Sequence, residues 1–173
     1  GSRVLPQLAE ESAQASRDLD TAARQAAATV ASLPFQLKLA QSVLESGRPE
    51  LAVQNFRRAL HLVPQSAEAW HGLGTALLRL NREDEALQAW QQGIEFLPDS
   101  AQLQADLGSL YRRRREDELA LAHLHRAAQL TPDDSSPWLA LADFFWHQGN
   151  SAEALEYYDR AFTGHLFDLK AEY

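Results

Sequence analysis

The sequence predicts an all-α solenoid of four tandem helix-turn-helix units, preceded by an N-terminal helix. The first observation behind this is a period of 34 residues, without insertion or deletion, marked by four alanines: Ala52, Ala86, Ala120 and Ala154. The second is that bulky and then small residues keep the same period: Phe56, Trp90, Leu124 and Tyr158, then Ala59, Gly93, Ala127 and Ala161. A fixed period of about 20 to 50 residues is typical of stacked repeat proteins.

The phase of the period divides most of the chain into four units, at residues 33–66, 67–100, 101–134 and 135–168. In the first half of a unit, apolar residues recur at steps of three and four, as in the second unit at Trp70, Leu73 and Leu77. At about 3.6 residues per turn, such steps place one apolar stripe on an α-helix. The second half continues the stripe through its alanine and aromatic positions, so each unit is predicted to be two amphipathic helices.

Residues that end helices separate the two halves of three units, at Gly47, Asn81 and Gly149. Glycine and asparagine tolerate the left-handed conformation that commonly closes a helix. The second helices then open with acidic residues, for example in the segments 83–85 and 116–118. Acidic side chains suit the positive end of a helix dipole, so these runs are predicted to be structural.

Small residues recur within the first helices, at Ala40, Gly74, Gly108 and Ala142. With the alanines of the second helices, they indicate that the two backbones of a unit approach closely. A leucine forced into such a contact would overpack it, at a cost of roughly 1 to 3 kcal/mol. We therefore expect Gly74→Leu to lower the melting temperature.

The repeated positions of the second unit resemble the tetratricopeptide repeat: Trp70, Leu73, Gly74, Leu77, Ala86, Gly93 and Pro98. The resemblance covers residues 33–168. It departs from the family pattern where Gln36 and Gln104 replace the first aromatic residue and where Leu166 replaces the last closing proline. The resemblance implies a right-handed superhelix whose concave groove binds a protein or peptide, with no catalytic residue and no cofactor.

In the family, positions two, five, six, nine, twelve and thirteen of each unit usually face the groove. The partner-binding residues that the resemblance implies here are Lys38, Gln41, His71, Thr75, Arg79, Asp106, Arg112, Arg113, Asp143 and Trp146. Further positions of this set are Glu45, Glu68, Gln102, Ser109, Leu139 and His147. None of them is asparagine, and the sixth positions hold Gly72 and Asp106. Two binding modes of the family, the carboxylate clamp for chaperone tails and the asparagine ladder, are therefore disfavoured.

Two features of the groove have alternative interpretations. The run 112–115 consists of four arginines, which either form a solvated helix end, favoured by the helix dipole, or bind an acidic peptide through charge-assisted contacts. Trp146 stands where the core stripe does not need an aromatic residue. It either packs against the C-terminal segment or anchors an apolar side chain of a ligand.

Composition excludes several classes of function. Sixteen basic against 24 acidic residues give a net charge of −8, which argues against nonspecific nucleic-acid binding because phosphate contacts need a basic face. No uninterrupted apolar run approaches the roughly 18 residues of a membrane helix. The chain has no cysteine, which excludes disulfides and thiolate metal sites but fits the cytoplasm and the periplasm alike.

No motif for catalysis or metal binding occurs in the sequence. The six histidines form no pair three or four residues apart, and His123 and His125 point to different sides of a helix because they are two residues apart. No HExxH, P-loop, GxSxG or GxGxxG pattern is present. We therefore expect no enzyme active site, no metal site and no cofactor site.

The two ends lie outside the repeat register. Gly1 and Ser2 resemble a tag-cleavage scar, and the chain lacks methionine, so we expect a fragment of a longer protein. Residues 1–32 contain a helical apolar pattern at Leu8, Ala15, Leu19, Ala22, Ala26 and Val30, which continues to Leu33 in the first unit. This helix would cap the first unit, link to a preceding domain, or pair in a coiled coil with a second copy. Residues 169–173 form a tail in the register of a further helix.

Three functions follow from these observations. The first is a non-catalytic scaffold or adaptor that binds a partner protein within a multiprotein complex. Bacterial members of the family with this general appearance serve secretion, envelope assembly or polysaccharide export. The second is the recruiting or regulatory arm of a larger enzyme, and the third is a scaffold that self-assembles through the N-terminal helix or a terminal repeat.

Overall fold

A computed structural model describes the backbone of residues 4–170 and the side chains of residues 10, 14, 17–22, 24–25, 28 and 32–163. Within these residues it contains eight α-helices and no strand. The helices are α1 Val4–Glu45, α2 Pro49–Leu62, α3 Ala67–Arg79, α4 Glu83–Phe96, α5 Ala101–Arg113, α6 Asp117–Leu130, α7 Ser135–His147 and α8 Ser151–Lys170. Each helix packs against the next in the chain. The predicted all-α solenoid of helix pairs is confirmed.

The first helices of three units begin after a polar side chain that caps them. Each side-chain oxygen accepts a hydrogen bond from a backbone N–H at the helix start: Ser66 from Ala69 at 3.2 Å, Ser100 from Leu103 at 3.4 Å and Asp134 from Ser136 at 2.9 Å. These caps satisfy N–H groups that have no partner within the helix. The equivalent residue of the first unit is Ser32, where α1 continues without a break.

Every first helix ends with a residue in the left-handed conformation, always at the same position of the period. These residues are Gly47 (φ 77°), Asn81 (φ 58°), Arg115 (φ 60°) and Gly149 (φ 80°). The three that the sequence predicted are confirmed. Arg115 was not predicted, because an arginine gives no local sign that it adopts a conformation disfavoured for residues with a Cβ.

The glycines of α3 and α5 lie directly under large side chains of the second helices. A Cβ on Gly74 would lie 2.1 Å from the Trp90 ring, and one on Gly108 would lie 2.7 Å from Leu124. The predicted close approach of the two helices is therefore confirmed at both positions. Gly72, placed in the groove by the family pattern, is instead buried, and its Cβ would lie 2.2 Å from the ring of Phe56.

The hydrophobic core runs along the stack. One cluster of buried residues extends from Leu37 to Ala120 and includes Phe144, while a smaller cluster contains Leu124, Ala128 and Leu141. Most of the core is therefore shared between neighbouring units, as expected for repeats that bury their apolar faces only by stacking.

The helices at both ends cross the unit boundaries predicted from the sequence. α1 is 42 residues long and passes through residues 32 and 33, and α8 passes through residues 168 and 169 to Lys170. The side chains of Leu8, Ala15, Ala26, Val30, Leu166 and Phe167 and the whole of residues 171–173 lie outside the described part, so the capping, linker and coiled-coil alternatives stay predictions. No helix in the described part is long and apolar enough to cross a bilayer.

Candidate functional site

The first helices of successive units form one wall of the stack. α1 contacts α3, α3 contacts α5, and α5 contacts α7. The side chains at the predicted groove positions therefore lie along neighbouring helices. Their hydrogen bonds and ion pairs divide them into residues held by the chain itself and residues available to a partner.

Three groove residues meet between α3 and α5. Nδ1 of His71 lies 2.7 Å from Oδ2 of Asp106, and the side-chain amide of Gln102 donates to Oδ1 of Asp106 at 3.2 Å. The hydrogen bond to the Asp106 carboxylate raises the pKa of the His71 imidazole above its usual value, despite partial burial of the ring. We therefore expect the middle of the groove to respond to pH.

Two polar groove residues bind within the first two units. A guanidinium nitrogen of Arg79 donates to the backbone carbonyl of Leu44 at 2.7 Å, which satisfies a carbonyl in the last turn of α1. The amide of Gln41 donates to Glu45 at 2.9 Å on the same helix. Both were predicted to bind a partner, and the structure gives both an intramolecular role. Lys38 is exposed and Thr75 is partly buried on the same wall.

The arginine run at the end of α5 is half neutralised by acidic residues. Arg113 forms an ion pair with Glu83, and Arg114 pairs with Asp84 at 2.7 Å and with Glu116 at 2.9 Å. Glu83 and Asp84 belong to the first turn of α4, where the sequence predicted a purely local role in the helix dipole. Arg113 and Arg114 therefore each have an intramolecular partner, and the binding of a partner protein by Arg113 stays a prediction.

A cleft of about 530 Å³ opens between the ends of α5 and α7. It is lined by Arg112, Arg113, Arg115, Asp117, Phe144, His147 and Gln148. Three guanidinium groups face one carboxylate, and Asp117 already accepts a hydrogen bond from Gln148 at 3.0 Å. Within the described part of the chain, the side chains of Arg112 and Arg115 have no hydrogen-bonding or ion-pair partner. The cleft is therefore positively charged and suits a carboxylate, and Phe144, which also lines it, is buried in the core.

Trp146 precedes His147 on α7 without lining this cleft, and 56% of its surface is exposed. The interpretation that it packs on the C-terminal segment involves side chains outside the described part. Asp143, one turn earlier, accepts a hydrogen bond from the hydroxyl of Tyr158 at 2.7 Å. Asp143 was predicted to bind a partner, and the structure uses it to join α7 to α8.

Sequence reasoning missed three residues of the cleft, Asp117, Phe144 and Gln148. These residues come together because the turn after α5 lies next to the turn after α7, 34 residues later. The repeat period is the sequence signal that could have related the two turns. Among the described residues, no group of three or more His, Cys, Asp or Glu side chains could hold a metal ion. The expected absence of an active site stays a prediction.

The chain matches one family model and several solved structures. The family model, described as tetratricopeptide repeat, matches residues 37–102 and 105–163. A crystal structure of MamA is similar with a TM-score of 0.67 and 23% identity, over 82% of this chain and 81% of that one. A structure of MamA from Desulfovibrio magneticus RS-1, residues 41 to the end, has a TM-score of 0.64 and 19% identity, over 77% of this chain and 75% of that one.

A third similar structure is PilF of Pseudomonas aeruginosa, with a TM-score of 0.71 and 21% identity. The alignment covers 79% of this chain and 62% of PilF. At these identities the likeness establishes a shared fold and nothing more specific. No curated protein matches the sequence.

Proposed function

Because the chain belongs to the tetratricopeptide repeat family, we propose that it is a non-catalytic module that binds a segment of a partner protein in the groove formed by its first helices. Members of this family act as interaction scaffolds. In this role the chain would serve as a scaffold or adaptor in a multiprotein complex. A bacterial secretion, envelope or polysaccharide-export system is the setting that the resemblance suggests.

The observation that carries this proposal is the positive cleft, together with the exposed Trp146 on α7, the helix that supplies His147 to the cleft. Arg112 and Arg115 offer guanidinium groups that no described residue neutralises, and a carboxylate can accept two parallel hydrogen bonds from such a group. Arginine and tryptophan are also the residue types that most often dominate the free energy of binding at interfaces. The partner segment should therefore carry an acidic residue next to an apolar one.

The groove residues outside the cleft also favour the cleft as the binding site. In the first two units Arg79 and Gln41 bind other residues of the chain, and His71 is paired with Asp106, so a partner would have to displace those contacts to use them. Recognition is therefore centred on the last two units rather than spread evenly along the wall.

The experiment is an affinity pull-down with wild type, Arg112→Glu, Trp146→Ala and the control Arg24→Glu. Arg24 is exposed on α1 outside the repeats, so its variant makes the same charge change away from the cleft. We expect Arg24→Glu to recover the same partners as wild type and Arg112→Glu to lose them. For an identified partner, Trp146→Ala should weaken binding at least tenfold in titration calorimetry, about 1.4 kcal/mol. Equal recovery by all four proteins would contradict the proposal.

Self-assembly is a second candidate, favoured by apolar side chains exposed on the first unit. Phe35 is 73% exposed and Leu39 is 44% exposed, both on α1. Exposed apolar patches on a repeat stack favour association. Light scattering should report a larger mass for wild type than for Phe35→Ser with Leu39→Ser, whereas a monomeric wild type at all concentrations would eliminate this candidate.

A further inference from the structure

Three equivalent furrows lie on the side of the stack formed by the second helices. The first furrow lies between α2 and α4 over α3, the second between α4 and α6 over α5, and the third between α6 and α8 over α7. One position of the 34-residue period projects into each of them: Ala89 in the first, His123 in the second and Tyr157 in the third. The three furrows therefore show which side chains the fold accommodates at this position.

The second furrow is filled by the imidazole of His123. The ring stacks on Tyr111 of α5, with centroids 5.4 Å apart and planes 12° apart. Its Nδ1 lies 2.7 Å from the side-chain oxygen of Gln104. Gln91 of α4 closes the other side by donating to the Tyr111 hydroxyl at 2.9 Å. A flat ring from the following second helix therefore completes this furrow.

The third furrow is filled by the larger ring of Tyr157. It stacks on Phe145 with centroids 5.3 Å apart and on Trp138 with centroids 6.3 Å apart. Its hydroxyl lies 3.4 Å from Nε2 of His125, which belongs to the opposite wall, α6. Here the fold accepts a whole tyrosine side chain, with the ring over the first helix and the oxygen toward the preceding second helix.

The first furrow has Ala89 at this position, and a cavity of about 480 Å³ lies there. Its floor is the apolar stripe of α3, Trp70, Leu73 and Leu77. At its mouth, Phe96 stacks on Trp70 with centroids 6.1 Å apart and is still 49% exposed. An apolar cleft with an exposed aromatic residue at its edge has the character of a binding site.

The residue of the first furrow that corresponds to His125 is basic. The position of His125 is occupied by Arg57, which also lines the cavity. Its guanidinium lies 3.5 Å from Glu85 across the furrow and its side chain is largely exposed. A loosely paired guanidinium therefore stands where, in the third furrow, an imidazole meets the phenol hydroxyl.

We propose that the first furrow binds a tyrosine side chain of a partner protein. The ring occupies the space beside Ala89 over the stripe of α3, and its oxygen accepts a hydrogen bond from Arg57. The two other furrows support this proposal, because the rings of His123 and Tyr157 fill the equivalent space there. This surface is separate from the groove, so the chain carries two binding surfaces and the two proposals fail independently.

The test is a titration of ¹⁵N-labelled protein with N-acetyl-tyrosinamide, followed by the indole N–H signal of Trp70. That N–H donates to the backbone carbonyl of Pro64 at 2.7 Å, beside the cavity. We expect a saturable shift in wild type and about tenfold weaker binding of N-acetyl-leucinamide, a difference of about 1.4 kcal/mol. Ala89→Tyr should abolish the shift because the new side chain fills the furrow. The control Ala122→Tyr, which adds the same ring to an exposed position of α6, should bind like wild type.

Two further variants keep the test decisive if Ala89→Tyr does not fold. Ala89→His copies the residue of the second furrow and should also abolish the shift, with folding checked by circular dichroism. Arg57→Gln should weaken N-acetyl-tyrosinamide several-fold and leave N-acetyl-leucinamide unchanged. Equal binding of the two amides to wild type, or full binding by a folded Ala89→His, would overturn the proposal.

Discussion

At the scale of single residues, the bulky position of each second helix is matched to the residue it meets on the first helix. Within a unit the pairs are Trp90 with Gly74, Leu124 with Gly108 and Tyr158 with Asp143, whereas Phe56 of the first unit meets Gly72 of the second. Where the side chain is a large apolar group, a glycine makes room for it. Where it ends in a hydroxyl, a carboxylate accepts its hydrogen bond. The units therefore accommodate the bulky residue of the second helix in different ways.

Gly74 is the position where this match should be most sensitive. Gly74→Leu should lower the melting temperature, because even a Cβ would lie 2.1 Å from the buried Trp90 ring, which cannot move aside without displacing its neighbours. The expected loss of unfolding free energy is roughly 1 to 3 kcal/mol, measured by thermal or urea unfolding. Ser109→Leu, at an exposed position of α5, is the matched control and should change little. If both variants melt together, the two helices are not in close contact at Gly74.

The His71–Asp106 pair should make stability depend on pH. The pKa of His71 is raised in the folded state by its hydrogen bond to Asp106. The stabilisation is therefore fully present below the unfolded pKa of about 6.5 and is lost as the pH rises through the higher folded value. Urea unfolding of wild type on either side of this window should reveal the loss.

The variant Asp106→Asn should remove that part of the pH dependence and return the pKa of His71 toward its usual value in an NMR titration. Asp133→Asn is the control, because Asp133 is an exposed residue of a turn far from His71. A histidine signal that titrates identically in wild type and Asp106→Asn would rule out the pair in solution.

At the scale of the helix pair, the turn within each unit depends on a left-handed residue. Three units use glycine or asparagine there, and the third uses Arg115 with φ 60°. The turn is otherwise the same, with backbone hydrogen bonds from Arg82 to Leu77 and from Glu116 to Tyr111, both at 3.0 Å. The stacking of the units therefore imposes the conformation, and the third unit adopts it against the preference of its residue.

Arg115→Gly should relieve this strain and stabilise the protein by about 1 kcal/mol. Chemical denaturation should show the gain as a higher midpoint. Arg115→Ala distinguishes the effect of backbone strain from the effect of the positive charge, because it removes the guanidinium but keeps the Cβ. We expect no comparable gain from alanine. The explanation by strain would be wrong if the alanine variant gained as much as the glycine variant.

At the scale of the whole molecule, stability is distributed along the stack. The main buried cluster joins the first three units, whereas most of the buried side chains of the fourth unit lie outside it, and a smaller cluster holds Leu124, Ala128 and Leu141. In a repeat protein, inner units have neighbours on both sides and outer units on one. The proposed positive cleft lies where the third unit meets the fourth.

Hydrogen exchange followed by mass spectrometry should reflect this distribution. We expect the slowest exchange in α3, α4 and α5 and faster exchange in α8, because local opening of an end unit breaks fewer contacts. A partner bound at the cleft should slow exchange at the end of α5 and in α7 more than in α3. Slower exchange in α8 than in α4 without a partner would contradict a stack that opens from its ends.

The sequence by itself determined the architecture, because the period, the apolar stripes and the helix breakers act over short distances along the chain. Because these local signals recur in every unit, the helix pairs, three of the four left-handed turn residues and the close contact at Gly74 were predicted correctly. The candidate groove was predicted only as a set of positions. Whether a side chain there is free or already bound depends on residues far away in the chain.

The tertiary structure decided those roles. Arg79 binds a carbonyl 35 residues away, Arg113 a carboxylate 30 residues away and Asp143 a hydroxyl 15 residues away. No local pattern encodes such partners, because they depend on how one unit is placed on the next. The same holds for the first furrow, where Ala89 is an ordinary helix residue in the sequence and leaves a cavity only because Trp70, Leu73 and Leu77 lie beneath it.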